Sequence, residues 1–342
     1  MNAKRWVAVV VAIALFLFSG LTAGLTRKEA TENQRTSLNG LLYGSNELSE
    51  TVLEQGSSDD KIARIQIEGT ISSGTSGSLF SGESYDHESV LKQIALIKEN
   101  TDVKALLLEV NSPGGGVYES AELARALQDL QQEKKIPIYV SMKNMAASGG
   151  YYISAHADKI FATNETVTGS IGVIMSNLNY SGLLEKLGID DATVKSGALK
   201  DMGSATRPET KEEVQVLQAY IDSAYNRFVT IVSEGRGMSV PEVKEVADGR
   251  IYDGKQALDA GLVDAIGFPD EALAALRKEH GLEKAQFVQY SLDSTGFANT
   301  WLGSKLAQLQ GLQPSESSQI NSLLKSIGTS EAPKAMYYYG GE

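Results

Sequence analysis

Ser148 stands in Met145-Ala146-Ala147-Ser148-Gly149-Gly150-Tyr151-Tyr152, with small residues on both sides. Such neighbours leave a hydroxyl approachable, and Gly149 can offer a backbone N–H to the same space. Earlier in the chain, Asn111-Ser112-Pro113-Gly114-Gly115-Gly116 joins an apolar run to a helical pattern. Glycines let the backbone take positive φ and come close to a ligand. N–H groups at a helix start attract negative charge and can hold an oxyanion. Each segment also has an ordinary reading. A serine at a helix start can be an N-cap, and a Gly-rich strand–helix turn need bind nothing. A phosphate loop is disfavoured, because no Lys-Ser or Lys-Thr pair follows the glycines.

A nucleophilic serine needs a base, and the chain limits the choice. There is no cysteine, which excludes thiol catalysis, disulfides, zinc–cysteine sites and a lipidated N-terminal cysteine. His87, His156 and His280 are the only histidines. His156 lies eight residues after Ser148, about two helical turns along one helix, too far to reach the hydroxyl. A three-histidine metal site would have to draw on unrelated parts of the chain, so neither metal nor other cofactor is expected. Lys200, in Ser196-Gly197-Ala198-Leu199-Lys200-Asp201, reads by itself as a solvated loop residue. Lys195, alternating with Val194, reads as solvent-facing.

Taken in order, these segments resemble the signal peptide peptidase A family. The match runs through Ser112-Pro113-Gly114-Gly115, Ala146-Ala147-Ser148-Gly149-Gly150-Tyr151-Tyr152, Thr168-Gly169-Ser170-Ile171-Gly172-Val173, Lys200-Asp201, Asp248-Gly249-Arg250 and Gly261-Leu262-Val263-Asp264. It spans roughly residues 61–289. The resemblance implies a ClpP/crotonase-like α/β fold of repeated β-β-α units. It also implies a serine endopeptidase with a Ser–Lys dyad, Ser148 as nucleophile and Lys200 as base. A free lysine titrates near ~10.4, and burial in a weakly polar site can lower that value enough to make a base. Further implications are an oxyanion hole from the backbone of Gly114 and Gly149, and orientation of the lysine by the hydroxyl of Ser170 or Thr168. Leu199 departs from the family pattern, where an aromatic residue is more usual. Family members form rings or domes, so the lysine can come from a neighbouring subunit. Expected substrates are cleaved signal peptides and other unfolded or hydrophobic peptides. A crotonase-like acyl-CoA or thioester enzyme, and an inactive peptide-binding scaffold, stand as alternatives.

The elements that must position these residues follow from periodicity. Ala63, Ile65 and Ile67 alternate with polar residues as in a strand, and Val103–Val110 is a buried strand. Helical spacing covers Ser89–Lys98 and Glu119–Lys134. Strands are expected at Ile136–Met142, near Ile160 and at Ile171–Met175, with a tight segment and then a helix within Ala146–Ala157. Alternating strands and helices predict an α/β fold with a largely parallel sheet. Beyond Lys200 a helical extension is expected: Thr210–Glu234, Pro241–Ala247, Gly254–Ala260 and Pro269–His280. A last strand is expected at Gln286–Ser291.

At the N-terminus, Lys4 and Arg5 precede an uncharged run from Trp6 to Leu25. About 20 helical residues span roughly 30 Å, the hydrocarbon thickness of a bilayer. An uncleaved anchor is favoured over a cleaved signal peptide, with the catalytic part outside the cytoplasm in either case. The expected division is residues 1–28 as anchor or signal segment, 29–60 as linker, 61–294 as protease domain and 295–342 as tail. Ser72–Ser84 reads as a Gly/Ser-rich mobile loop. Within the polar tail, Lys334-Ala335-Met336-Tyr337-Tyr338-Tyr339 is out of character and could enter the substrate groove as a self-peptide. The net charge of −12 argues against nucleic-acid binding, which wants a basic face.

Overall fold

The computed structural model describes residues 48–73, 85–292 and 335–340. The expected membrane segment Trp6–Leu25 and most of the Ser72–Ser84 loop lie outside these residues. Among the described residues no helix is long and apolar enough to cross a membrane. The chain divides into two compact units. One, Glu50–Ser291 with Ser317–Glu342, holds Ser148, Lys200 and nearly all of the described residues. Of the other, Met1–Ser49 with Leu292–Glu316, only three residues are described.

Strands β1 (Leu48–Glu54), β2 (Ser57–Glu68), β3 (Val103–Ser112), β5 (Ile138–Ala147), β6 (Lys159–Ala162), β9 (Ala265–Ile266) and β10 (Ala285–Leu292) form one sheet in the order β1-β10-β2-β3-β5-β6-β9. Pairing is parallel from β10 through β2, β3, β5 and β6 to β9. Two short strands, β7 (Val167–Gly169) and β8 (Ile251–Tyr252), extend the sheet beside the end of β5. β3 is buried along almost its whole length, as befits a central parallel strand covered on both faces.

Helix α1 (His87–Glu99), α2 (Val117–Lys134) and the short α3 (Gly149–Ser154) lie toward one face. They bury Ile94, Ile97, Leu123, Leu127 and Leu130. On the other face, helix α8 (Pro269–His280) packs Ala272, Leu273 and Leu276 against Ile62, Leu107, Tyr139 and Phe287. Between β6 and α8 run α4 (Ser181–Lys186), the long α5 (Lys211–Arg236), α6 (Val240–Val246) and α7 (Gly254–Asp259). α5 is capped by Thr210, whose hydroxyl accepts from the Glu213 N–H while Glu213 reaches back to the Thr210 N–H; this is a capping box.

Three expectations change. Residues 48–60, read as part of the linker, form β1 and the start of β2. β1 is an edge strand exposed along nearly its whole length, so its polar composition concealed it. The segment Ile171–Met175 is not a strand and makes only an isolated bridge from Ile174 to Met336. Finally, the last described residues are not loose tail: Met336–Tyr338 form β11.

One irregularity directs the chain toward the site. β3 and β5 slip register between Val110 and Ser112, so that Ser112 faces Ala146. Asn111 spans the slip. Its side-chain oxygen accepts from the Met145 N–H at 3.2 Å and its amide donates to Glu68 at 2.8 Å. β5 then leaves β6, which it pairs from Tyr139 to Met142, and pairs β7 from Met145 to Ala147. Ser148 emerges at this fork.

Candidate active site

Ser148 and Ser170 sit one position beyond the paired residues Ala147 and Gly169 of adjacent parallel strands. The Ser148 N–H donates to the Gly169 carbonyl at 2.8 Å, and the Ser170 N–H to the Arg250 carbonyl at 2.7 Å. Both serines have positive φ, 53° and 50°. Non-glycine residues adopt this region at a cost and keep it only where their surroundings enforce it, often at functional sites. Ser148 has no side-chain capping bond to α3, so the N-cap reading finds no support. Thr168, the second candidate for orienting a lysine, has its hydroxyl bonded to the Ala146 carbonyl at 2.7 Å.

A three-residue strand β4 (Gly114–Gly116) runs alongside. On one edge it pairs with Ile71: the Ile71 N–H donates to the Gly114 carbonyl, and the Gly116 N–H to the Ile71 carbonyl, both at 2.9 Å. On the other edge lies β11, antiparallel, with Tyr337 opposite Gly115. Strand alternation then turns the Gly115 N–H and C=O toward Tyr337. The far side of β11 is held as well, by reciprocal bonds between Met336 and Ile174 at 2.9 and 3.0 Å. The tail is thus an extended strand clamped between two backbones.

The carbonyl oxygen of Tyr337 points into the glycine corner. It lies 2.1 Å from where a Cβ on Gly114 would be and 3.0 Å from where one on Gly149 would be. The Gly149 nitrogen is 2.5 Å from the same Gly114 position. A carbonyl, Gly149 and Ser148 are therefore gathered in one small space. Gly114 itself donates to Ser112 Oγ at 3.1 Å, so the amide facing the tail carbonyl beside Gly149 is that of Gly115. Gly114, from which the resemblance implies an oxyanion amide, lines the same corner; register distinguishes it from Gly115, and register is not visible in a run of three glycines.

The Tyr337 side chain is buried, stacked on Tyr152 at 4.9 Å and packed on Phe228 at 4.8 Å. Its hydroxyl donates to the Ala224 carbonyl at 3.0 Å. Burial pushes its phenol well above the ordinary tyrosine range. Beyond it, Tyr338–Gly340 border a groove of about 600 Å³ whose walls include Ser170, Ile174, Asp222 and Tyr225.

Lys200 is elsewhere. It is exposed on a turn whose N–H donates to the Gly197 carbonyl at 3.1 Å, and no hydrogen bond joins it to Ser148 within the chain. Its neighbour Asp201 is firmly held. Arg207 grips the Asp201 carboxylate through Nε at 2.8 Å and a second nitrogen at 2.7 Å, and also binds the buried Glu213 at the start of α5. Lys195, expected to be merely solvated, adds a bond to Asp201 at 2.6 Å. The Arg207 side chain holds both carboxylates below their usual range, Glu213 down to about 2. A depressed carboxylate stabilises the fold above its ordinary range near 4.5, and that contribution fades as pH falls toward about 2. Arg207 thus fixes the turn that presents Lys200. Arg207→Ala is expected to lower kcat on the order of tenfold, with Arg207→Lys recovering only part because a lysine cannot fork across a carboxylate. Steady-state kinetics of the two variants check this.

Comparisons with known proteins bear on the class. A family model described as peptidase family S49 matches residues 130–283. A protein of Enterococcus faecium assigned as signal peptide peptidase SppA is 52% identical over 344 residues, covering all of both chains. The chloroplastic serine protease SPPA of Arabidopsis thaliana is 32% identical over 248 residues, 71% of this chain and 36% of that one. Among solved structures, a point mutant of ClpP1 from Listeria monocytogenes aligns with a TM-score of 0.40 and 19% identity, over 61% of this chain and 94% of its own. The protein is a serine peptidase. It belongs to peptidase family S49, among the signal peptide peptidase A proteins.

Proposed function

We propose that the chain is a Ser–Lys endopeptidase in which Ser148 attacks the peptide carbonyl and Lys200 of a neighbouring copy takes its proton. The observation that carries this reading is the tail itself. An extended segment of the same protein lies between β4 and Ile174 with its Tyr337 carbonyl in the Gly114–Gly115–Gly149 corner beside Ser148. A substrate in that register brings its scissile carbonyl to the hydroxyl. The N–H groups of Gly149 and Gly115 receive the negative charge that develops on its oxygen. Ser170, level with Ser148 at the strand ends, orients the incoming amine. The lysine then returns the proton to the leaving nitrogen.

Assembly from several copies supports the reading from another side. The segment bearing Lys200 exposes Leu178, Leu183, Leu187, Ile189 and Val194, apolar side chains that contact with a second copy would cover. Packed on a second copy in a ring or dome, it brings Lys200 near the partner's groove. We assign signal-peptide remnants and other unfolded or hydrophobic peptides as substrates, in line with the assignment of the E. faecium relative. The uncharged run Trp6–Leu25 is read as a single membrane anchor with the catalytic part outside the cytoplasm. Tethering there raises the local concentration of substrates that partition into the bilayer.

In this reading the tail competes with substrate. Tyr337→Ala removes the buried ring from between Tyr152 and Phe228 and loosens the tail. Hydrolysis of an unstructured protein by the full chain is therefore expected to rise several-fold. Equal rates for the variant and the wild type would show that the tail does not occupy the working groove.

A further inference from the structure

We infer that Glu119 is a positioning residue for the strand on which substrates pair, an inference resting on β4 as that strand. β4 is only three residues long, and among the described residues its inner edge is held by the two backbone bonds of Ile71. The Ile71 side chain is buried and the Gly69 N–H donates to the Asn111 carbonyl at 2.9 Å; a further hold on this segment is found two residues past Ile71. Ser73 donates to Glu119 Oε1 from its N–H at 3.2 Å and from its hydroxyl at 2.6 Å. Glu119 stands in the first turn of α2, directly after β4, whose last residue, Gly116, is the helix N-cap and offers no side-chain cap.

The other carboxylate oxygen presses on β4 itself. Glu119 Oε2 lies 1.9 Å from where a Cβ on Gly116 would be, so the carboxylate occupies the room that any side chain there would need. One residue therefore touches both strands of the pair, capping the segment that carries Ile71 and closing over the end of β4. A carboxylate near a helix start is also favoured by the helix dipole, but that general effect gives no reason for its grip on Ser73. Without the grip, the end of the segment from Ile71 to Ser73 loosens against β4 and the outer edge loses its fixed register. The loss falls on substrates that use that edge.

The test compares two substrates on the full chain. A peptide with the sequence of residues 332–340 pairs along β4, whereas N-acetyl-tyrosine ethyl ester has no residues with which to do so. The tail competes equally with both, so the ratio of their kcat/KM values cancels its occupancy. Glu119→Ala is expected to lower the peptide-to-ester ratio about tenfold, the size of one lost hydrogen bond to a charged group. Glu119→Gln keeps a carbonyl acceptor for Ser73 and should fall within about threefold of wild type on the same scale. An unchanged ratio in Glu119→Ala, or ester hydrolysis falling in step with peptide hydrolysis, overturns the assignment. Failure of the parent reading looks different: Ser148→Ala would then hydrolyse both substrates as wild type does.

Discussion

Ser148→Ala and Lys200→Ala are each expected to lower peptide hydrolysis by roughly a thousand-fold or more, because nucleophile and base act as a unit. Co-assembled from equal amounts, the two inactive variants should recover activity. If each site takes its serine from one copy and its lysine from the next, as proposed, about a quarter of the sites in a randomly mixed head-to-tail ring pair intact residues. The physical reason lies in the single chain. Lys200 is exposed there and makes no hydrogen bond to Ser148, so in the proposed site a second copy has to bring the two together. Mixed particles as inactive as either parent would mean that the lysine serves its own chain, and the proposal of a shared site would fall.

Gly114→Ala should be nearly as damaging, at roughly a hundred-fold in kcat/KM, the usual effect of spoiling an oxyanion site. The added methyl would sit 2.1 Å from the present position of the Tyr337 carbonyl oxygen and 2.5 Å from the Gly149 nitrogen, within the space where negative charge develops. Backbone strain at φ +97° contributes too. Gly237→Ala separates the two effects. Its φ is +65° and no atom lies within 4 Å of the added methyl, so it should cost about 1 kcal/mol in stability and leave turnover unchanged. Thermal melts beside initial rates on one peptide distinguish the outcomes. A Gly114→Ala protein within threefold of wild-type kcat/KM would remove the corner from the mechanism.

Much of the frame was legible without coordinates. Apolar alternation around Ile65 and the run Val103–Val110 mark the central strands, and the range expected for the helix Pro269–His280 is the one the structure shows. Motif order singled out the Ser148 and glycine segments, because small residues in those places serve backbone approach and little else. Other features depend on relations between distant residues. No local pattern says that Gly115, one residue from Gly114, faces the tail carbonyl, or that a polar segment such as Leu48–Glu54 forms an edge strand. The bonds from Arg207 to Asp201 and Glu213 likewise join charges that look independent along the chain.

The amino-acid order by itself determined which chemical groups exist: one serine flanked by small residues, glycines able to expose their amides, no thiol, and a lysine where the family expects a base. Tertiary structure alone decided which of them meet. Ser148 and the Tyr337 carbonyl share one corner, with Ser170 at the end of the next strand, because β5 passes from β6 to β7 just before Ser148, and because β4 has an edge left free for a strand from the far end of the chain. Local sequence sets backbone preference and side-chain chemistry, whereas pairing between residues as far apart as Gly115 and Tyr337 is settled by which strand edges remain open once the core has packed.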